Sequence, residues 1–128
     1  MVKRKRIPRP TDAELAILRV LWRRGPSTVR QVHDVLSANK QTGYTTVLKF
    51  MQIMTEKGLL LRDESQRSHV YRPQTSAEKT QQQLVGDLLE RAFEGSAQRL
   101  VMQALSAKKV TPEELAQIRE LLDRIERS

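Results

Sequence analysis

The chain has 128 residues, a formal net charge of +8 and a pI near 10.3. That length admits one domain, or a small domain with an appendage, and so small a core is often completed by a partner chain. There is no cysteine, which excludes disulfides, zinc fingers and cysteine nucleophiles, and no apolar run approaches the ~20 residues of a membrane span.

The positive charge is unevenly placed. Residues 1–75 hold 15 Lys/Arg against 6 Asp/Glu, a net +9, whereas residues 76–128 hold 8 against 9, a net −1. A basic first part points to a polyanionic partner. Residues 1–10 carry five basic side chains and two prolines and read as a flexible basic arm. No apolar stretch follows them, so they are not a secretory signal, and the expectation is a cytoplasmic protein with no direct membrane binding.

Thr11-Asp12-Ala13-Glu14 is a capping box that opens a first helix, with Leu15, Leu18 and Trp22 at helical spacing up to Gly25-Pro26. Thr28-Val29-Arg30-Gln31 is a second capping box, and Val32, Val35 and Leu36 extend its helix to about Asn39. A third helix is expected over residues 44–57, with Val47, Phe50, Met51 and Met54 on its apolar face and Gly58 as the terminating glycine. The period then shortens. Residues 59–63 and 69–72 read as two strands of a hairpin whose polar tip is 64–68.

Thr75 to Glu78 is a further capping pattern, opening a fourth helix with Leu84, Val85, Leu88, Leu89 and Phe93. Gly95-Ser96 interrupts it, and Leu100, Val101, Ala104 and Leu105 mark a fifth helix. Thr111-Pro112-Glu113-Glu114 starts a sixth, followed by Leu115, Ile118, Leu121, Leu122 and Ile125. The fold class expected is therefore mainly α. Three helices and a hairpin order an N-terminal winged helix-turn-helix over residues 11–74, and a helical dimerisation segment follows over 75–128.

Opposite the apolar stripe of the third helix lie Thr45, Lys49, Gln52 and Glu56, with Tyr44, Thr46 and Leu48 near its start. Hydroxyl, amide and ammonium groups so spaced suit a recognition helix that reads base edges and phosphates in a major groove. An ordinary solvated face would look the same; position just before a hairpin favours recognition. Arg67 at the hairpin tip, with His69 and Arg72 beyond it, offers cations for a wing on the phosphate backbone, although Asp63 and Glu64 oppose them. For Arg72 taken alone, scattered surface charge is the better reading. Arg30 and the amides at the start of the second helix can also reach a phosphate. Lys3-Arg4-Lys5-Arg6 would add salt-dependent affinity, or serve only solubility.

His33 and His69 stand on different elements without partners of metal-ligand spacing, and no phosphate loop, nucleophile elbow or triad is present. No catalytic activity, metal or cofactor is expected. Residues 76–128 carry about fifteen sizeable apolar side chains, too many for so short a segment to bury by itself. Leu84, Leu88, Leu100, Val101, Leu105, Leu115, Ile118, Leu122 and Ile125 are the expected homodimer contacts. The competing arrangement has these helices packing back on the chain's own winged helix.

Taken in order, 11–18, Leu21-Trp22, 28–32, Tyr44-Thr45-Thr46-Val47, Glu56-Lys57-Gly58-Leu59 and Val70-Tyr71-Arg72-Pro73 resemble the penicillinase-repressor family (BlaI/MecI/CopY type) across nearly the whole chain. The resemblance implies a homodimer that binds a pseudo-palindromic operator in double-stranded DNA and blocks transcription. It matches Tyr44, Thr45, Thr46 and Lys49 to the DNA-contacting stretch and Arg67 to a basic wing position. Where the family ends this helix with Asn-Arg-Leu or Thr-Arg-Leu, Gln52-Ile53-Met54 stands here.

The resemblance further implies, for antibiotic-responsive members, release through cleavage by a membrane-bound sensor protease. The matching bond is Gln103-Ala104, where the family's Asn-Phe pair is absent. The copper-responsive mode needs C-terminal cysteines and is ruled out. The reading is a dimeric DNA-binding repressor; the alternatives are a winged-helix protein-interaction adaptor and a non-specific architectural DNA binder.

Overall fold

The structure, a computed structural model, describes residues 8–39 and 41–128. Six helices and two strands follow in the order α1 (Asp12–Arg24), α2 (Val29–Ser37), α3 (Tyr44–Lys57), β1 (Leu60–Asp63), β2 (Val70–Pro73), α4 (Ala77–Phe93), α5 (Ala97–Ala107) and α6 (Pro112–Arg127). The chain divides into two compact units, one ending at Leu84 and the other Val85–Ser128, so the division falls within α4. Of the expected arm, Lys3-Arg4-Lys5-Arg6 lies outside the described residues, Pro8 and Arg9 are exposed and Pro10 is buried.

Local rules account for the helix starts. Both sides of a capping box are made at Thr11/Glu14, at Thr28/Gln31 and at Thr111/Glu114, where Pro112 occupies the first turn. α3 stops at Gly58, whose φ of 86° is left-handed and whose N–H returns to the Met54 and Thr55 carbonyls. α2 ends at Ser37, two residues short of the expected Asn39; the Ser37 hydroxyl donates to the His33 carbonyl at 2.8 Å, and 38–39 form a turn.

α4 corrects the expected capping pattern. The cap is Ser76, whose hydroxyl accepts from the Lys79 amide at 3.1 Å. Thr75 is committed elsewhere: its carbonyl accepts from the Trp22 indole N–H at 3.1 Å and its hydroxyl pairs with the buried Thr80 hydroxyl at 3.2 Å. A tertiary hydrogen bond thus takes the residue that local pattern alone would choose.

The N-terminal core gathers Ile17, Leu18, Val20 and Leu21 of α1, Val29 and Val32 of α2, and Val47, Met51 and Met54 of α3. Leu59, Leu60 and Tyr71 close it from the hairpin. The strands pair antiparallel from Leu60 opposite Pro73 to Asp63 opposite Val70. One further pairing ties the hairpin to the helices: Ser27, just before α2, exchanges both backbone hydrogen bonds with Tyr71, at 3.0 and 2.8 Å. Three helices and a hairpin joined in this way are a winged helix-turn-helix.

A carboxylate is built into the core. Glu14 is 2% exposed, accepts the Thr11 amide at 3.0 Å and meets the Lys57 ammonium at 2.9 Å, so the first turn of α1 is clamped to the last turn of α3. α5 and α6 contain no buried residue, and in α4 only Thr80 is buried. Among the described residues, no helix is long and apolar enough to cross a membrane.

Candidate nucleic-acid interface

The packing of α3 decides which of its residues meet solvent. With Val47, Met51 and Met54 buried and Phe50 half-buried, the helical period turns Thr45, Lys49, Gln52 and Glu56 outward, and all four are exposed. Tyr44 and Thr46 are exposed at the start of the helix, and Leu48 is half-buried against the core. The result is a polar strip of a hydroxyl, an ammonium, an amide and, at its C-terminal end, the Glu56 carboxylate, spaced 4, 3 and 4 residues apart.

The start of α2 adds a cation to this strip. The Thr28 capping box fixes the first turn, which leaves Arg30 exposed. Its guanidinium carbon lies 4.8 Å from the centroid of the Tyr44 ring, a cation–π contact that joins α2 to the first turn of α3. His33, one turn further along α2, meets the same ring edge-on at 5.9 Å and 72°. Tyr44 therefore holds Arg30 by its flat face and leaves the guanidinium N–H edge available to an anion.

The hairpin brings in the remaining charge. A shallow cleft of about 250 Å³ is lined by Arg30, Tyr44 and Leu48 on one side and by Arg67, Ser68 and His69 of the wing tip on the other. No Asp or Glu lines it. Of the residues expected from the sequence, Arg30, Tyr44 and Arg67 thus converge, while Thr45, Thr46, Lys49 and Gln52 are displayed along the exposed part of α3.

Arg72 is not part of this convergence. It is exposed opposite Leu61, on the face of the hairpin away from buried Tyr71. The acids that oppose the wing's charge are also engaged locally. Asp63 accepts the Ser65 amide at 2.9 Å, which holds its carboxyl below the usual value, with a smaller contribution from Arg72. Glu64 pairs with Arg62 at 2.6 Å.

Ser68 and Thr28 line the cleft but did not stand out as site residues in the sequence, and His69 stood out only as a wing-strand residue. Nothing local marks them, because their approach depends on the Ser27–Tyr71 pairing that folds the hairpin against α2. His69 in fact precedes β2, which runs one residue later than expected, to Pro73. Among the described residues no group of His, Cys, Asp and Glu could hold a metal ion. What the arrangement offers is anion binding beside a display of hydrogen-bonding groups on a helix.

Comparison with known proteins bears on the same region and beyond it. Residues 10–124 match the model of the family described as penicillinase repressor. The chain is 34% identical over 122 residues to the transcriptional regulator BlaI of Mycobacterium tuberculosis strain H37Rv, covering 94% of this chain and 88% of that protein. It is 24% identical over 119 residues to the penicillinase repressor of Bacillus licheniformis, covering 93% of each.

Among solved structures, the solution structure of monomeric Bacillus licheniformis BlaI in complex with the blaP half-operator superposes with a TM-score of 0.50 at 26% identity, covering 57% of this chain and 89% of that one. The solution structure of the DNA-binding domain of the repressor BlaI gives a TM-score of 0.51 at 26% identity, over 56% of this chain and 88% of that one.

Proposed function

Because the chain belongs to the penicillinase repressor family, we propose that it represses transcription by setting α3 in the major groove of double-stranded operator DNA and its wing on the phosphate backbone. The family's members are transcriptional repressors rather than enzymes. The observation that carries the reading is the outward strip Thr45, Lys49 and Gln52 beside the acid-free cleft of Arg30, Tyr44 and Arg67. In this reading Thr45, Lys49 and Gln52 meet base edges and nearby phosphates, Tyr44 and Thr46 anchor the first turn of α3, and Arg30 and Arg67 neutralise a phosphate. Arg72 contributes from the outer face of the wing.

The operator is bound by a homodimer. α5 and α6 bury no apolar side chain fully; Leu100, Leu105, Leu115 and Ile118 are half-buried, and Leu88, Val101, Leu122 and Ile125 are each about half exposed. Pairing with a second copy removes that surface from water through an isologous contact. A two-fold protein calls for a pseudo-palindromic site whose half-sites lie about 10 base pairs, or a multiple of that, apart.

Release by a membrane-bound sensor protease completes the proposal. Gln103 and Ala104 are both exposed in α5, and cutting between them detaches Leu105 and all of α6 from the DNA-binding unit. A fragment ending at Gln103 during derepression supports this step; an intact chain during derepression removes it.

Selection of genomic fragments by the purified protein at physiological salt, followed by sequencing, tests the whole reading. Enrichment of a palindrome near promoters is expected. Salt-sensitive binding without enrichment indicates an architectural DNA binder, and no binding indicates a protein-interaction adaptor. Lys49→Ala should weaken operator binding without changing dimerisation; unchanged affinity would falsify the placement of α3.

A further inference from the structure

A second concavity, of about 410 Å³, runs along α1 and the C-terminal end of α2. Its floor is apolar, made by Ala16, Val20, Val35 and Leu36, and its rim is cationic, made by Arg19, Arg23 and Arg24. Ala16, Val20 and the three arginines share one face of α1 at helical spacing, so apolar and guanidinium groups stand side by side. Val35 is left 42% exposed over this floor. No Asp or Glu lines the groove. Among the described residues none of the three arginines has a hydrogen-bond, ion-pair or ring partner.

Two ordinary explanations fall short. Arginines in the last turn complement the carbonyl end of a helix, which accounts for Arg23 and Arg24 but not for Arg19 in the middle of α1. A solvated face has no need of an apolar floor, and a nucleic-acid backbone would engage the guanidinium groups while leaving the exposed Val35 uncovered. Volume and chemistry fit a small ligand, since such sites commonly span about 300–1,000 Å³ with an apolar lining and a few placed polar groups.

We propose that this groove binds a small amphipathic organic anion, an apolar chain or ring carrying a carboxylate or phosphate. The apolar body covers Val35 and the partly exposed Ala16 and Leu36, and the anionic head takes forked hydrogen bonds from Arg19 and Arg23, with Arg24 beside them. The site lies at the opposite end of α2 from Arg30, so its occupancy does not depend on the DNA-binding reading.

The test is a titration of the ¹⁵N-labelled full chain with decanoate, below its micellar range, and with uncharged 1-decanol, followed by amide chemical shifts. Decanoate should move the signals of residues 16–24 and 35–39 saturably, with an affinity at least about tenfold above that of decanol. The double substitution Arg19→Gln/Arg23→Gln should weaken decanoate by about tenfold or more, since both charge-assisted hydrogen bonds to the anionic head are lost. Val35→Ser, a second exposed position, should weaken decanoate and decanol alike. Equal binding of decanoate and decanol, no saturable shift in the groove, or shifts confined to residues 84–125 would each overturn the proposal.

Discussion

Glu14 is a charged group inside an otherwise apolar cluster. Burial acts to raise its pKa, but the Thr11 amide and the Lys57 ammonium, bonded to separate carboxylate oxygens, outweigh burial and hold the carboxyl below its ordinary value. Lys57 keeps a wet side, 38% exposed, so Glu14→Gln leaves it solvated rather than stranded. The expected cost in urea unfolding is about 1.5–3 kcal/mol, the range of a hydrogen bond to a charged group. Because the folded pKa is the lower one, this stability is present above the unfolded value of 4.5 and is lost as pH falls through the folded value. The gap between wild type and Glu14→Gln should therefore be flat above that pH and close below it. A gap that widened on acidification would contradict the ion pair.

Tyr44 acts at the same scale through Arg30. If the ring serves mainly to hold the guanidinium, Tyr44→Phe should bind operator within about twofold of wild type, and Tyr44→Ala should lose about 0.5–1 kcal/mol. The diagnostic is the cycle with Arg30→Ala: in that background Tyr44→Ala should cost nothing more. Full additivity of the two losses would mean that the phenol touches DNA by itself.

At the scale of the element, α3 and the hairpin are connected through one left-handed residue. Gly58 has a φ of 86° with nothing within 4 Å of a Cβ built there, so Gly58→Ala meets backbone strain and no clash. The expected loss is about 1–2 kcal/mol, read as a lower urea midpoint at unchanged slope. A changed slope would indicate a change in the compactness of either state. That glycine, the capping boxes at Thr11, Thr28 and Thr111, and the apolar period of α3 are readable in sequence because each is decided within a few residues. Thr75 and Ser76 show where such reading stops: adjacent hydroxyls offer the same cap, and an indole 53 residues away decides between them. The Ser27–Tyr71 pairing and the seating of Arg30 on Tyr44 belong to the same long-range class. Candidate cations could be named one by one from composition, but not which of them would share a cleft; Arg67 enters it and Arg72 does not.

At the scale of the whole molecule, the excess charge and most of the exposed apolar side chains fall on different parts of the chain, +9 in residues 1–75 against −1 in 76–128, where exposed Val85, Leu88, Val101, Met102, Leu121, Leu122 and Ile125 lie. The proposed reading assigns phosphate contact to the first part and self-association to the second, which makes the two separable by mutation. Leu122 and Ile125 are 53% and 58% exposed on α6, so the double substitution Leu122→Glu/Ile125→Glu removes little packing within the chain itself. Sedimentation should show a monomer where wild type is a dimer. Affinity for an isolated half-site should stay within about twofold, while affinity for the full palindrome should fall by about 10²-fold or more, because the second half-site no longer benefits from linkage to the first. Phosphate contacts set the salt slope, so the monomer should show roughly half the wild-type slope of log K against log salt on the full site. A double variant that remained dimeric would move the interface away from this end of α6, towards Val85 and Leu88 of α4 or Val101 of α5. A monomer that still bound the palindrome as tightly as wild type would mean that two-fold pairing contributes nothing to operator recognition.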